Sequence, residues 1–499
     1  MHSTHSFLRP SQQMKMDNKE TTEPLHEGII EQFTAMQENI DNSSPISEIS
    51  LNAEKILKHL RDNDISSDVG RALCYSVKCM LDSAQTIVNE DGKSWDNIAN
   101  KQFSQRAAIV MYFTRNVLQL PHLSGKQLLK QFLRICLSRI IIMCATHDTL
   151  MQWTSEYSIK ESKDLQLVLC NACTEPSIRH LLTYESPLET PDKDRILPQE
   201  MFSQVLKILQ PKLTKSTWKK EPICQHVYKW CLIQMMHPHL GQHLDIVLPS
   251  ALLFTDDYQV PNKIIGIECL CHIIKEVDAT ELKWHNRAGV IYSAVHSQIY
   301  SNKAHLLDVV IPCMLSILGV IEKSPIRDNC VRNVNRYDEI LQLLLANMES
   351  EQVIVLRRLY LKYVPLFVDK MGVTILRHIK ILLRIISSYL EVSDGQEEKG
   401  RLATLQLTNK LVQVIGSRLT RHTNVLLKAL LRLLYDSCLQ GFNESNAVTK
   451  EIQNSVVKTI RNLQVCCYDS VNRDLKQVVE SEVKSIPQFV ECVNQIVCT

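Results

Sequence analysis

Residues Leu244–Ile274 read LDIVLPSALLFTDDYQVPNKIIGIECLCHII. Leu244, Val247, Leu248, Ala251 and Leu252 recur at i, i+3, i+4, i+7 and i+8, which lines them along one helical face. Asp256 and Asp257 interrupt the pattern. Ile264, Ile267, Leu270, Cys271 and Ile274 then begin a second stripe. Two amphipathic helices joined by a tight acidic turn cannot bury their stripes alone, so each needs neighbours. A unit of this kind belongs in a helical array, whose broad surfaces suit large partners better than small substrates.

The same grammar extends outward. Met201, Val205, Ile208 and Leu209 stripe one helix, and Pro222 opens its partner, which turns Ile223, Val227, Trp230 and Cys231 inward. Leu356, Tyr360, Val364 and Phe367 stripe a helix that Gly372 is placed to stop. Helix pairs can be drawn from near Gln199, Gln242, Lys283, Arg336, Gly372 and Asn424. Their spacing of roughly 40–50 residues is that of two-helix solenoid repeats. Upstream, helices are expected over Asn52–Arg61, Val69–Val88, Phe103–Leu118 and Lys126–Cys144. The proline-punctuated YESPLETPDKDRILP is expected to link two halves, and Lys323–Asn335 to form a surface insertion. The expected organisation is a disordered tail over 1–25, a less regular helical region over 26–183, a linker over 184–198 and an all-α solenoid over 199–499.

Composition agrees. The 499 residues are 45% hydrophobic and 22% charged, with only 13 Gly and 17 Pro, and the net charge of +2 exerts no global pull on nucleic acid or membrane. The first 50 residues are acidic. The 17 cysteines fall mostly on apolar faces, as Cys136, Cys144, Cys231 and Cys271 do, and the opening residues are polar. Reduced thiols in a cytoplasmic or nuclear chain are therefore expected rather than a disulfide framework, and the Asn42 and Asn443 sequons carry no weight. No uncharged apolar run of membrane length is expected, Arg134 and Arg139 interrupting the best candidate, from Phe132.

Phosphate loops, dinucleotide fingerprints and common hydrolase motifs are absent from the sequence, and no cofactor is implied. His237, His239 and His243, with Cys231 or His226, could bind zinc, but Pro238 and Gly241 place them at a helix–helix turn. Cys170 and Cys173 read as core thiols rather than a redox pair. Asp256 and Asp257 could hold Mg²⁺ or act as acid and base; capping the next helix is the favoured role. Arg377, Lys380 and Arg384 on one helix, beside Arg357, Arg358 and Lys362 on the preceding one, are either a solvated face or a positive strip for nucleic acid or transport cargo. Trp218, Trp230, Tyr258 and Trp284 are either core or interface anchors.

The block from Ser216 to Ile274 resembles the family of the smallest subunit of the triple-T (TTT) cochaperone complex, also called Tel-two-interacting protein two. Trp218, His243-Leu244, Leu248-Pro249, Asp256-Asp257-Tyr258, Asn262-Lys263 and Gly266 carry the likeness. Asn286-Arg287-Ala288, Leu356-Arg357-Arg358, Pro365, Phe367-Val368, Arg377-His378, Tyr389–Val392 with Asp394-Gly395, and Leu426–Leu431 extend it from about residue 198 to 440. The resemblance implies an all-helical, HEAT-like and non-enzymatic scaffold. It further implies association with two larger solenoid subunits, support of phosphatidylinositol-3-kinase-related kinases, and an indirect link to the ninety-kilodalton heat-shock chaperone. Partner contact is expected at Trp218, Trp230, Asp256, Asp257, Tyr258, Lys263, Arg357, Arg358, Arg377, Lys380 and Arg384, with neither membrane nor direct nucleic-acid binding.

Overall fold

A computed structural model describes residues 24–41, 45–62, 65–85, 97–124, 126–184, 197–198, 200–322, 333–440, 447–480 and 487–497. Among these the chain is all-α, without strands. It divides into two compact units, Met1–Leu253 and Phe254–Thr499.

The first unit contains α1 (Pro24–Asp41), α2 (Ile46–Asp62), α3 (Ser67–Ala84), α4 (Asn97–Leu118), α5 (Lys126–Thr146), α6 (Glu156–Cys173), α7 (Ile178–Leu182), α8 (Met201–Leu209) and α9 (Pro222–Gln234). Helices α1, α3 and α5 pack in one layer and α2, α4 and α6 in a second, with neighbours in sequence joined across the layers. The alternation follows from stripes too wide for a single partner. Phe33, Phe103, Phe113 and Phe132 are fully buried between the layers. The region expected to be less regular is thus layered from the start, and irregularity is confined to the short elements between α6 and α9. Local chemistry sets the ends. Ser155 and Ser158 form a reciprocal capping box before α6, and Thr174 closes that helix at φ 56°.

The linker expected at 184–198 is not the division between the units. Residues 185–196 lie outside the described residues, but α8 and α9 beyond them pack on α5 before them. Helix packing thus continues from α5 to α8 and α9, and both sides of the proline-rich stretch belong to one unit. The tail expected over 1–25 and most of the Lys323–Asn335 insertion also lie outside the described residues; α1 already begins at Pro24.

The division falls at the end of α10 (Leu244–Thr255). The second unit contains α11 (Val260–Glu276), α12 (Ala279–Lys283), α13 (Arg287–His296), α14 (Ala304–Ile321), α15 (Arg336–Ser350), α16 (Ile354–Met371), α17 (Ile379–Glu391), α18 (Lys399–Ile415), α19 (Thr423–Gln440), α20 (Ala447–Cys466), α21 (Tyr468–Glu480) and α22 (Pro487–Val497). Here α11, α14, α16, α18 and α20 form one layer, and α15, α17, α19 and α21 the other. Asn335 caps α15 in a capping box with Asp338. Gly372 and Gly416 end α16 and α18 at φ 57° and 60°.

Among the described residues one helix is long and apolar enough to cross a membrane: α14, which carries a single charge, Asp308. It packs on α11, α13 and α16, as a core helix does. Pro312 inside it has no N–H for the Asp308 carbonyl, and Tyr363 Oη of α16 donates to that carbonyl at 2.8 Å instead.

Candidate partner-binding surface

The basic residues read as either a solvated face or a positive strip are built into contacts between successive helix pairs. Arg358 Nε donates to Asp394 Oδ2 at 2.7 Å and its Nη2 to the Asp394 carbonyl at 2.9 Å. Arg357 donates to the Glu351 carbonyl and lies over the Tyr389 ring, 4.8 Å from its centroid. Arg377 Nη1 donates to the buried Asp338 at 3.0 Å. Arg384 pairs with Glu349 at 3.2 Å and Lys362 with Asp308 at 2.6 Å. Arg377 also lies outside the helix, in a 3-10 turn over Gly372–His378, so the three residues do not share one helical face. Lys380 is exposed. The positive strip is corrected accordingly: carboxylates of adjoining repeats neutralise most of it.

Residues that carry the family likeness turn out to be structural. Asp394 Oδ2 also accepts from Gly400 N at 2.6 Å. The buried Arg401 donates to the Leu390 and Glu391 carbonyls at 2.9 and 3.0 Å, which satisfies the end of α17. Tyr389 Oη donates to the Met348 carbonyl at 2.8 Å. His378 Nε2 meets Asp338 Oδ1 at 3.0 Å, and His243 Nδ1 meets Ser203 Oγ at 3.3 Å, each reaching back 40 residues.

The histidine cluster does not converge. His243 is buried on Ser203 and on the Phe202 ring, while His237 is exposed. No group of three or more His, Cys, Asp or Glu with metal-holding geometry occurs among the described residues. Cys170 and Cys173 are buried, and burial pushes both thiols up, Cys173 to about 12, away from the reactive range. A shallow groove of about 550 Å³ lies among Gln453, Asn454, Arg461, Glu491 and Gln495 of α20 and α22 and holds no convergent buried charges.

The acidic turn behaves differently from the expectation in one detail. Gln259, not Asp257, stands at the N-cap of α11. Asp257 is 4% exposed; its Oδ2 accepts from Asn262 Nδ2 at 2.7 Å and from Gln259 N at 3.4 Å, so it braces the turn from two residues upstream. Burial likewise withdraws Trp218, which is 3% exposed, from any partner; it packs in the first unit with Lys219 over its ring. Trp230 is half-buried.

Of the aromatic candidates, two stay at the surface, and a third aromatic joins them. Tyr258 is 76% exposed, Trp284 71% and Tyr300 65%. Lys263 Nζ donates to Gln298 Oε1 at 2.7 Å, tying the start of α11 to the residues that follow α13. Tyr258 lies just before α11 and Tyr300 just after α13, the two chain segments that this bond ties together, and exposed Asp256 is near Tyr258 in sequence. His296 stacks on Tyr292 and meets Tyr300 edge-on, so the Tyr300 side of the patch is ordered. Trp284 stands at the far end of α13. The sequence reading missed Tyr300, because a lone tyrosine after a helix carries no local signal of exposure.

A family model for the Tti2 family matches residues 138–397. The chain is 33% identical to human TELO2-interacting protein 2, covering 72% of this chain and 69% of the human one. It is 34% identical to its mouse counterpart over 72% of this chain and 68% of that protein. Among solved structures, a mutant of Kap121p aligns with a TM-score of 0.44 and 12% identity, covering 93% of this chain and 48% of that one. A likeness at that score carries no argument, and the architecture rests on the helices themselves. The segment over which sequence and family agree is the one whose turns and ion pairs hold the helix pairs in register, and by this agreement the chain belongs to the Tti2 family.

Proposed function

We propose that this chain is a non-catalytic scaffold subunit of the TTT cochaperone complex. There it binds the larger helical subunits and supports maturation and stability of phosphatidylinositol-3-kinase-related kinases. The observation that carries this reading is the 33% identity to a human protein whose name states that it interacts with TELO2. The chemistry of the described residues is in keeping with it. Of the catalytic candidates weighed, Asp257, His243, Cys170 and Cys173 are buried in turns and core, whereas Tyr258 and Tyr300 face solvent. Free cysteines suit a cytoplasmic or nuclear setting.

We place partner contact around the Lys263–Gln298 bond, on Tyr258 and Tyr300, with Asp256 and Lys263 as polar flank. Tyrosine anchors large interfaces because a rigid ring buries much area at little entropic cost and its hydroxyl keeps a polar contact. Co-expression with TELO2 and the second large solenoid subunit, followed by size-exclusion chromatography with mass determination, tests the assignment. A stoichiometric co-eluting species is the expected result. A monomer indifferent to both partners would overturn it.

A further inference from the structure

The ends of α16 and α18 carry cations that the pairing between repeats leaves over. Residues 370–380 and 416–428 hold Lys370, Arg377, Lys380, Arg418, Arg421 and Lys428 and no Asp or Glu. Arg377 is held by Asp338, the third residue of α15. The third residue of α17 is Ile381, so the same place in the next repeat offers Arg421 no carboxylate. Lys370, Lys380, Arg418, Arg421 and Lys428 are exposed, and none of them is in an ion pair among the described residues. Asp369, beside Lys370 in sequence, is taken by Lys410 at 2.7 Å.

The two sets share one rim of the second unit. Helix α18 packs against both 3-10 turns, Gly372–His378 and Gly416–His422, and α17 and α19, which leave those turns, pack side by side. Both helices thus bring their positive N-terminal ends to this rim. Val373 of the first turn and Val425 at the start of α19 are exposed there. A 2.8 Å hydrogen bond between Thr423 Oγ1 and Ser470 Oγ ties the start of α19 to the start of α21, where Tyr468 is exposed. Further along α17 and α19 the charge is neutralised again, Arg384 by Glu349 and Arg432 by Glu391. The positive area is therefore bounded, and apolar side chains stand among its cations. A nucleic-acid backbone calls for a longer run of cations and gains nothing from valines. A polypeptide that carries both carboxylates and apolar residues is complementary to both features.

We propose that this rim docks an acidic, partly apolar polypeptide segment of a partner protein. Carboxylates of the segment face Lys370, Lys380, Arg418, Arg421 and Lys428, and an apolar side chain between them covers Val373 or Val425. The rim is separate from the tyrosine contact: it lies at the ends of α16 and α18, whereas Tyr258 and Tyr300 precede α11 and α14. Either surface can fail its test without the other.

Fluorescence anisotropy of the full-length chain with a labelled peptide of alternating glutamate and leucine pairs tests the proposal. Binding is expected, weakening several-fold from about 50 to 200 mM salt, and a peptide with glutamine in place of glutamate should not compete. Arg418→Glu with Arg421→Glu should weaken binding about tenfold or more. Lys55→Glu with Lys58→Glu, the same change of net charge on exposed residues of α2, should leave it unchanged. All four side chains are exposed, so melting temperatures should stay at the wild-type value and separate lost docking from lost folding. If the rim reversal does unfold the chain, Lys380→Gln with Lys428→Gln should still weaken binding several-fold. No binding by the wild type, an equal loss in both double reversals, or equally tight binding of the glutamine peptide would overturn the proposal. Tighter binding of a single-stranded oligonucleotide or of phosphatidylserine vesicles than of the glutamate peptide would overturn it too, and would assign the rim to nucleic acid or to a membrane surface.

Discussion

Asp338 gathers three polar contacts from two successive helix pairs. It is 4% exposed, accepts from Asn335 N at 3.1 Å to close the α15 cap, and faces both Arg377 and His378 at 3.0 Å. A buried carboxylate with three partners is costly to remove, since truncation leaves donors desolvated without acceptors. Asp338→Ala should therefore destabilise the protein by about 2–4 kcal/mol, read as a lower urea midpoint; a loss under about 0.5 kcal/mol would mean that the cluster is already hydrated. His147 supplies a second test. It is 0% exposed, stacks on Phe103, and is held to a pKa of about 3 by burial, with His226 as a lesser cause. Its ordinary value is 6.5. Between the two values the unfolded chain binds a proton that the folded chain refuses, so the neutral ring's stabilisation is complete above the ordinary value and drains as pH falls toward the folded one. Unfolding free energy should fall by about 1.4 kcal/mol per pH unit from this residue alone. His226 and His243, also lowered by burial, act in the same direction. In His147→Phe that share of the slope should vanish from urea melts between pH 6 and 4; parallel wild-type and variant curves would refute the assignment.

The elements repeat a device that apolar periodicity alone does not reveal. Gly372-Val-Thr-Ile-Leu-Arg-His378 and Gly416-Ser-Arg-Leu-Thr-Arg-His422 share one pattern and one conformation: a helix ends on a glycine at positive φ, a 3-10 turn follows, and the next helix starts after the histidine. Ile375 and Leu419 are fully buried in these turns. Only glycine is at ease at φ near 60° with ψ near −135°, the values at Gly416, where an added Cβ would meet nothing within 4 Å. Gly416→Ala thus isolates backbone strain from steric clash and should cost about 1–3 kcal/mol in thermal or urea melts, while a neutral result would mean that the turn relaxes to another conformation. Much of this was legible. The α16 stripe and its stop at Gly372 could be read from Leu356, Tyr360, Val364 and Phe367, because a 3.6-residue period leaves a local mark. The linker placement at 184–198 failed because prolines report local chain geometry, whereas a boundary between compact units depends on burial summed over distant helices. The choice between a positive strip and a solvated face was illegible for a related reason. Arg358 and Asp394 lie 36 residues apart and Arg377 and Asp338 lie 39 apart, so each charge's partner belongs to a different repeat. Tyr258 and Lys263 could be singled out beforehand, but not the fact that one points to solvent and the other to Gln298.

Across the whole molecule, these contacts decide which forces remain for recognition. In the second unit Arg377, Arg384 and Lys362 pair with carboxylates of neighbouring helices, and Arg358 with Asp394 in the turn after α17. Charges committed in this way release few counterions to a partner, so the surface is poorly suited to steering a polyanion. The exposed Tyr258 and Tyr300 instead offer apolar area with polar tips, whose contribution to binding depends little on ionic strength. Two consequences follow for the complex proposed above. Tyr258→Ala combined with Tyr300→Ala should weaken binding to the large partner by about tenfold or more, with the melting temperature of the isolated chain unchanged, because neither ring supports the core. Raising salt from about 50 to 200 mM should change affinity far less than the factor of about 10³ or more typical of a protein that neutralises many phosphates. Surface plasmon resonance on the captured full-length chain reads both quantities in one experiment. If Arg384→Ala and Lys380→Ala weaken binding more than the tyrosine pair does, and salt weakens it steeply, the contact lies on the α17 face and the exposed rings are incidental.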